Sequence, residues 1–473
     1  MKENTSYTSG YIFDSHSVAS NKPQGPIVRF FWYVISFMKR NPYTSRLIEY
    51  LLSNSLYKGA LILGTGTAVA QLISIISLPI ITRIYSPSDL GILAVYSSIL
   101  AIVSIGATLK YESAYALPKQ DEEAVNLFGL CLILLFIITA GFAFIIFSER
   151  GLLMNIFDIG SIEHYRWFLI AGFFGMGLYN MLNYWAIRQR DYKRITHTKI
   201  NQAISGTACK ILLGIVSFGA VGLIIGHIVS QIAGIGTFSR AMWSKDKENL
   251  RTISFRGMKD IAKKYRSFPA YNLPASIVNT ASLQLPPLML LALYDSQIVG
   301  FYALANALIV LPGTLISRSV GQAYLGEASK MVREGSRELL SLYVKTLRHL
   351  AVIGVPLIGI PALCAPFVFP VIFGNEWAEA GWYCLPLTLF VVPQFIASPI
   401  GYLSLYGYNN WSFIWNVSRF IGVVISFYLS YLLKLSIIMT LTMYGLVMAW
   451  MYVIGIILSL KAIANFTSKM SNE

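Results

Sequence analysis

The chain has 473 residues, 55% of them hydrophobic and only 12% charged, with a mean hydropathy of +0.60. An average soluble domain carries roughly 25% charged residues, so this composition excludes a soluble enzyme and indicates a polytopic membrane protein. The formal charge of +15 needs no nucleic-acid partner once the lysines and arginines are placed along the chain.

Residues 1–57 are the least membrane-like part, expected to form a polar or amphipathic, disordered extension. Residues 1–26 offer no apolar core for a cleavable signal peptide, so insertion is expected through the first spans. Ile27–Arg40 holds an apolar run too short to span. It reads either as a helix lying on the membrane surface or, if Met38 rather than Met1 is the true start, as part of an over-long N-terminus.

A spanning helix needs about 20 mostly apolar residues. Twelve such segments follow, at 60–82, 91–109, 125–147, 165–187, 199–219, 222–243, 269–293, 298–320, 347–369, 380–404, 412–433 and 436–460. With both termini inside, the inner segments hold 31 Lys and Arg and the outer ones only Arg83, Arg150, Arg166 and Lys434, which fixes the expected orientation. Basic runs such as Arg188–Arg194 and Met258–Arg266 resemble nucleic-acid patches in isolation; next to spans they are expected to set topology and touch anionic lipid. The expected organisation is an N-terminal lobe at 58–243, a basic cytoplasmic linker at 244–268, a C-terminal lobe at 269–460 and a cytoplasmic tail at 461–473.

The first and seventh spans end alike, in Leu78–Ala94 and Leu285–Ala303. Each has Leu-Pro, then Tyr (Tyr85, Tyr294), then Gly (Gly91, Gly300), then Ala (Ala94, Ala303), at a constant offset of 209 residues from Tyr through Ala. This is the sign of a parallel repeat of six spans, a common transporter plan. Twelve of the 18 prolines lie between Pro269 and Pro399, so the second half should bend most.

Motifs for bond chemistry are missing. "GTGT" at Gly64–Thr67 follows no strand and lacks the Gly-Lys-Ser/Thr ending of a nucleotide loop. The five histidines are scattered, and Cys131, Cys209, Cys364 and Cys384 all fall within spans, where they are expected to be small core residues. No metal or cofactor is expected, with proton or sodium coupling left open. What stands out is polar groups inside spans. Lys210 lies 11 residues past Lys199, about 16 Å along a helix and roughly half the hydrocarbon thickness, where an ammonium costs at least a few kcal/mol unless it faces a cavity or a partner. Arg419 is the second intramembrane cation. Gln71, Asn180, Asn183, Asn279, Asn306 and His227 complete the cavity candidates, each with interhelical hydrogen bonding as its alternative. No Asp or Glu sits deep in a span, which disfavours cation export and suits an anionic substrate.

Five stretches, Ser77–Leu100, Thr108–Ala124, Leu285–Pro312, Ser319–Met331 and Phe373–Gly381, carry a resemblance. Over about residues 55–460 the chain resembles the polysaccharide transporter family, the Wzx-type flippases of O-antigen and capsule repeat units, in the superfamily that also holds multidrug extruders and lipid II flippases. It differs from many relatives in its N-terminal extension and in having Lys at Lys110 where Arg is commoner. The resemblance implies an all-α fold of 12 transmembrane helices in two six-helix lobes around a central cavity. It also implies alternating access at the bacterial inner membrane, an undecaprenyl-pyrophosphate-linked glycan as substrate, and polymerase and glycosyltransferases of the same pathway as partners. Lys210 and Arg419 would then attract pyrophosphate or acidic sugars. Lys110 and Glu112, with Asp121–Glu123, are candidates for an inner gate, as is Arg318, although a solvated ion pair is the plainer reading. Glu376 and Trp377 are expected at an outer helix end, Trp377 as an interfacial anchor. A drug/cation antiporter of the same fold, and a membrane polymerase or ligase, are the competing functions; short outer loops disfavour the latter.

Overall fold

The computed structural model describes residues 55–148, 164–336 and 338–470; Ile27–Arg40, Met38 and Arg150 lie outside them. Residues Leu63–Glu473 form one compact unit. Every regular element among the described residues is helical. In chain order these are α1 (Ser55–Ile84), α2 (Pro87–Val103), α3 (Asp121–Phe147), α4 (Arg166–Arg188), α5 (Tyr192–Ile215), α6 (Gly219–Ile232) and α7 (Ile235–Leu250). A short linker helix α8 (Phe255–Lys264) leads to α9 (Leu273–Leu293), α10 (Ser296–Arg333), α11 (Leu339–Phe373), α12 (Ala378–Ile396), α13 (Asn409–Leu432) and α14 (Ile437–Met470). Helix occupies each of the twelve expected segments, and eight stretches are long and apolar enough to cross a membrane by length and composition.

Three segments differ from the sequence expectation. The second expected span runs to 109, but α2 stops at Val103 and a 3-10 turn follows at Ser104–Gly106. Leu109 and Lys110 then take φ of 51° and 65°, a conformation unfavourable for residues with a Cβ. The sixth is divided at Gly234, whose missing side chain leaves room for Tyr179 and Thr198. The tenth, expected to be continuous over 380–404, ends its α-helix at Ile396 and continues as 3-10 helix over Ser398–Tyr406. Pro393 within its last turn and Pro399 just beyond supply no backbone N–H to carry the α-helix on.

Caps place the helix starts. Ser86 and Asp89 form a reciprocal capping box at α2, with Pro87 in its first turn. Asp295, 209 residues after Ser86, accepts from Ile298 N at 2.8 Å to cap α10. The repeat therefore extends to the caps, and the two capped helices cross each other. A Cβ on Gly91 would overlap the carbonyl of Ser296, and one on Gly300 the carbonyl of Pro87. Ser296 follows Pro87 by the same 209 residues, so the crossing is reciprocal about a pseudo-two-fold axis. Only glycine permits so close a backbone approach.

At the same end of the bundle Trp377, fully buried, donates its Nε1–H to the Thr82 carbonyl at 2.9 Å and meets Phe301 edge-on. The expected interfacial anchor is thus a buried bridge between the two halves. Arg83 reaches the Val371 carbonyl beside it. Cys131 and Cys384 are buried as expected, whereas Cys364 is exposed on α11.

The linker helix α8 turns Met258 and Ile261 inward against α3 and leaves Arg256, Lys259 and Lys263 exposed. Asn126 of α3 anchors the turn ahead of it, accepting from Ser254 N at 2.9 Å and donating to the Glu122 carbonyl at 2.8 Å. Lys264 pairs with Glu123 at 2.8 Å, and Tyr111 donates to the Ala262 carbonyl.

Candidate functional site

The side chains of α5 determine the site in the first half. Lys199, Gln202, Gly206 and Lys210 are spaced three, four and four residues apart, which puts them on one helical face. That face, with Gln71 and Ser74 of α1 and Ser230 and Gln231 of α6, lines a cavity of about 270 Å³. Among the described residues the lining contains two cations and no carboxylate. Lys199 and Lys210 are separated by about 16 Å along the helix, so the cavity is a trough with an ammonium towards each end.

Close packing of α5 on α6 shapes the trough. A Cβ on Gly206 would overlap Ser230, and one on Gly226 would overlap the aliphatic stem of Lys210. Lys210 therefore lies across a glycine, and its backbone carbonyl accepts from the Tyr85 hydroxyl at 2.6 Å. Among the described residues no acceptor or carboxylate meets its ammonium. Lys199 instead donates to Thr67 Oγ1 at 2.9 Å. Gln202 donates to the Gln231 carbonyl at 3.1 Å, and Gln71 Oε1 is buried without a partner among the described residues. His227 sits one layer behind, between Gln231 and the edge of the Tyr96 ring.

Arg419 lies 209 residues after Lys210, the offset already seen for the tyrosines, glycines, alanines and caps. The two intramembrane cations thus occupy equivalent positions of the repeat, and their surroundings differ completely. Arg419 is only 3% exposed. Its Nη2 donates to Asn279 Oδ1 at 2.7 Å and to Asn416 Oδ1 at 3.2 Å, and its guanidinium stacks 4.8 Å from the Trp415 ring centroid. Arg419 and Asn279 are brought together as an internal bolt between α13 and α9, and Arg419 does not line the trough.

The remaining candidates are dispersed. Asn180 and Asn183 lie on α4, with Asn183 Oδ1 buried and unpartnered among the described residues, and Asn306 lies on α10; none lines the trough. Lys110 stands 3.8 Å from Glu112, whose carboxylate is buried and accepts from Thr108 Oγ1. The three acidic residues after it do not join that pair as a gate would require. Asp121 binds Arg188 at 2.8 Å and Glu123 binds Lys264, because α4 and α8 pack closer to the start of α3 than Lys110 does. Arg318 is in α10, with its side chain outside the described set. Thr67, Ser74, Lys199, Gln202, Thr207, Ser230 and Gln231 are polar cavity residues missing from the sequence candidates; the eleven-residue spacing of Lys199 and Lys210 was the available signal.

A second cavity of about 260 Å³ lies in the other half, between α10, α12, α13 and α14. Among the described residues no charged one lines it.

The family model described as Polysaccharide biosynthesis protein matches residues 80–381, well over half of the chain. The chain belongs to that polysaccharide biosynthesis family. Within the curated proteins, this polysaccharide biosynthesis protein is 23% identical over 263 residues to the teichuronic acid biosynthesis protein TuaB of Bacillus subtilis strain 168. The match covers 52% of this chain and about half the length of that relative. An inward-facing multidrug resistance MATE family transporter of the MOP superfamily superposes with a TM-score of 0.62 at 16% identity, covering 86% of this chain and 96% of that one. A MOP superfamily transporter from Pyrococcus furiosus, described as having a binding pocket of reverse polarity, gives 0.54 at 15% identity over 88% and 98%. The family member described here thus has the fold of MOP superfamily transporters, in a multi-pass membrane protein.

Proposed function

We propose that this protein flips undecaprenyl-pyrophosphate-linked oligosaccharide repeat units, for O-antigen, capsule or exopolysaccharide, from the cytoplasmic to the outer leaflet of the bacterial inner membrane. The observation that carries the reading is the trough on α5, with Lys199 and Lys210 in its wall and no carboxylate among the described residues. Two cations in a wall that holds no carboxylate among the described residues attract a diphosphate or an acidic sugar, and charge-assisted hydrogen bonds to phosphate oxygens are among the stronger neutral-pH contacts a protein makes. A cation exporter would need the opposite polarity.

In this scheme twelve spans cross the membrane with both termini cytoplasmic, and the end carrying Tyr85, Trp377 and Tyr294 is periplasmic. Alternating access proceeds by rocking of one six-helix half against the other around the Gly91–Gly300 crossing. The lipid tail stays in the bilayer and no bond is broken, so the protein acts as a transporter and needs no cofactor; a proton or sodium gradient is the available driving force. Polymerase and glycosyltransferases of the pathway act on either side of the step.

The test is surface polysaccharide in a host lacking its own repeat-unit flippase and supplied with the cognate sugar pathway, together with the lipid-linked repeat unit accumulated inside. The chain should restore surface polymer and clear the intermediate. Lys210→Ala, present at normal level, should lower export about 10- to 100-fold, the loss of one charge-assisted hydrogen bond worth about 1.5–3 kcal/mol. Unimpaired export by Lys210→Ala and Lys199→Ala together would remove the electrostatic basis of the reading.

A further inference from the structure

The cavity in the second half has the opposite chemistry to the trough. Its described wall residues are neutral, with hydrogen-bonding side chains from Thr314, Ser317, Gln394 and Ser398 set among the aromatic rings of Phe395, Trp415 and Tyr452. Its volume of about 260 Å³ is near the lower end of ordinary ligand pockets, roughly 300 Å³.

Three observations mark it as a binding site and not a packing flaw. The first is backbone: α12 ends at Ile396, and Ala397, Ser398 and Ile400, at the start of the 3-10 stretch, line the cavity. This break falls inside a segment expected to cross the bilayer. A switch from α-helix to 3-10 helix at such depth is tolerated where neighbouring groups or a cavity satisfy the backbone, and interrupted helices commonly build transporter binding sites. The second is an unused group: Ser398 Oγ is buried with no hydrogen-bond partner among the described residues, although a buried hydroxyl normally has one. The third is a fixed platform. Trp415 is held by its Nε1–H to the Met451 carbonyl at 2.7 Å and by the Arg419 guanidinium on its ring. Arg419 is in turn locked by Asn279 and Asn416. The arginine equivalent to Lys210 thus contributes rigidity to an aromatic wall where its counterpart presents a charge.

We propose that this cavity is a subsite for uncharged sugar rings. It takes the glycan of the same substrate whose anionic group lies in the α5 trough, and so rests on the flippase reading. Sugar rings present apolar C–H faces to aromatic side chains and hydroxyl edges to neutral donors and acceptors, which is the mixture this wall offers. A polyprenyl tail would leave the Ser398 hydroxyl without use, and a free anion would find no charge among the described wall residues.

The experiment uses the full chain in nanodiscs with Cys131, Cys209, Cys364 and Cys384 replaced by alanine. Ser317→Cys places a thiol in the neutral cavity, and Thr207→Cys places one in the trough. Each is reacted with a small maleimide in the presence of sodium pyrophosphate, of oligosaccharide released by mild acid from the host's lipid-linked pool, or of a short polyprenyl alcohol. At sugar well above its dissociation constant only the unoccupied fraction reacts, so the Ser317→Cys thiol should be modified about fivefold or more slowly. Pyrophosphate should protect the Thr207→Cys thiol and leave the other unchanged. Adding Ser398→Val should abolish protection by sugar at Ser317→Cys while keeping protection by pyrophosphate at Thr207→Cys. Protection of Ser317→Cys by the polyprenyl alcohol and not by sugar, or by neither, overturns the proposal, and pyrophosphate protection in the trough then leaves the flippase reading standing. Loss of protection at both thiols, with no rescue of surface polymer, overturns both.

Discussion

Lys210 and Arg419 are the same position of the repeat put to different uses, and the difference lies in their partners. The Lys210 ammonium faces the trough from across Gly226, so its removal exposes no unsatisfied group. Arg419 satisfies Asn279 Oδ1 and Asn416 Oδ1 and supports Trp415. Truncating one member of a buried charged network strands the others, at about 3 kcal/mol. Arg419→Ala should therefore lower the thermal unfolding temperature of the purified protein, whereas Lys210→Ala should leave it nearly unchanged and lose export. A thermal scan of both variants beside the export assay checks this, and equal destabilisation would show that Lys210 is structural. The lysine was legible in the sequence because a charge within an apolar run is conspicuous. The arginine was just as conspicuous, but its Asn279 partner is 140 residues away in sequence, and no local pattern announces it.

At the scale of elements, two pairs of helices are held by contacts that admit little substitution. Gly91 and Gly300 let α2 and α10 cross backbone to backbone, so Gly91→Ala or Gly300→Ala must push the helices apart. Each is expected to reduce folded protein in the membrane severely, measured as the monodisperse fraction after extraction; wild-type yield from both would refute the crossing. The linker helix is held more weakly. Asn126→Ala removes the acceptor for Ser254 N and the link back to Glu122, and should cost about 1 kcal/mol locally. Limited proteolysis should then cut between residues 244 and 268 faster than in the parent, while thermal stability of the bundle is little changed. The glycines were visible in the sequence as matched members of a repeat. That they face each other was not, because a repeat predicts equivalence and leaves open whether equivalent elements touch.

For the whole molecule, the charge distribution makes a topological prediction separate from transport. Lysines in the linker and in the α13–α14 turn should lie on opposite sides of the membrane. In a background lacking the four native cysteines, Lys434→Cys should react with an impermeant maleimide in intact cells, and Lys259→Cys should react only after permeabilisation. The reverse pattern, or equal labelling, would sink the twelve-span arrangement with cytoplasmic termini. The structure adds how the halves are joined: Trp377 to Thr82, Arg83 to Val371 and the glycine crossing all sit at the end opposite the linker.

The sequence by itself determined that the chain is a helical membrane protein with an internal repeat, because hydropathy and spacing are local quantities that every spanning segment must satisfy separately. It also isolated Lys210, and through the spacing of α5 it contained the trough face. Only the tertiary structure decided which polar groups are used up by one another and which face open space. It seated Trp377 in the core, matched Asp121 and Glu123 with Arg188 and Lys264, and bolted Arg419 to Asn279. Those outcomes depend on which helices pack together, and packing in an apolar solvent is set by shape and hydrogen bonding between distant segments, with little hydrophobic drive to write it into the sequence pattern.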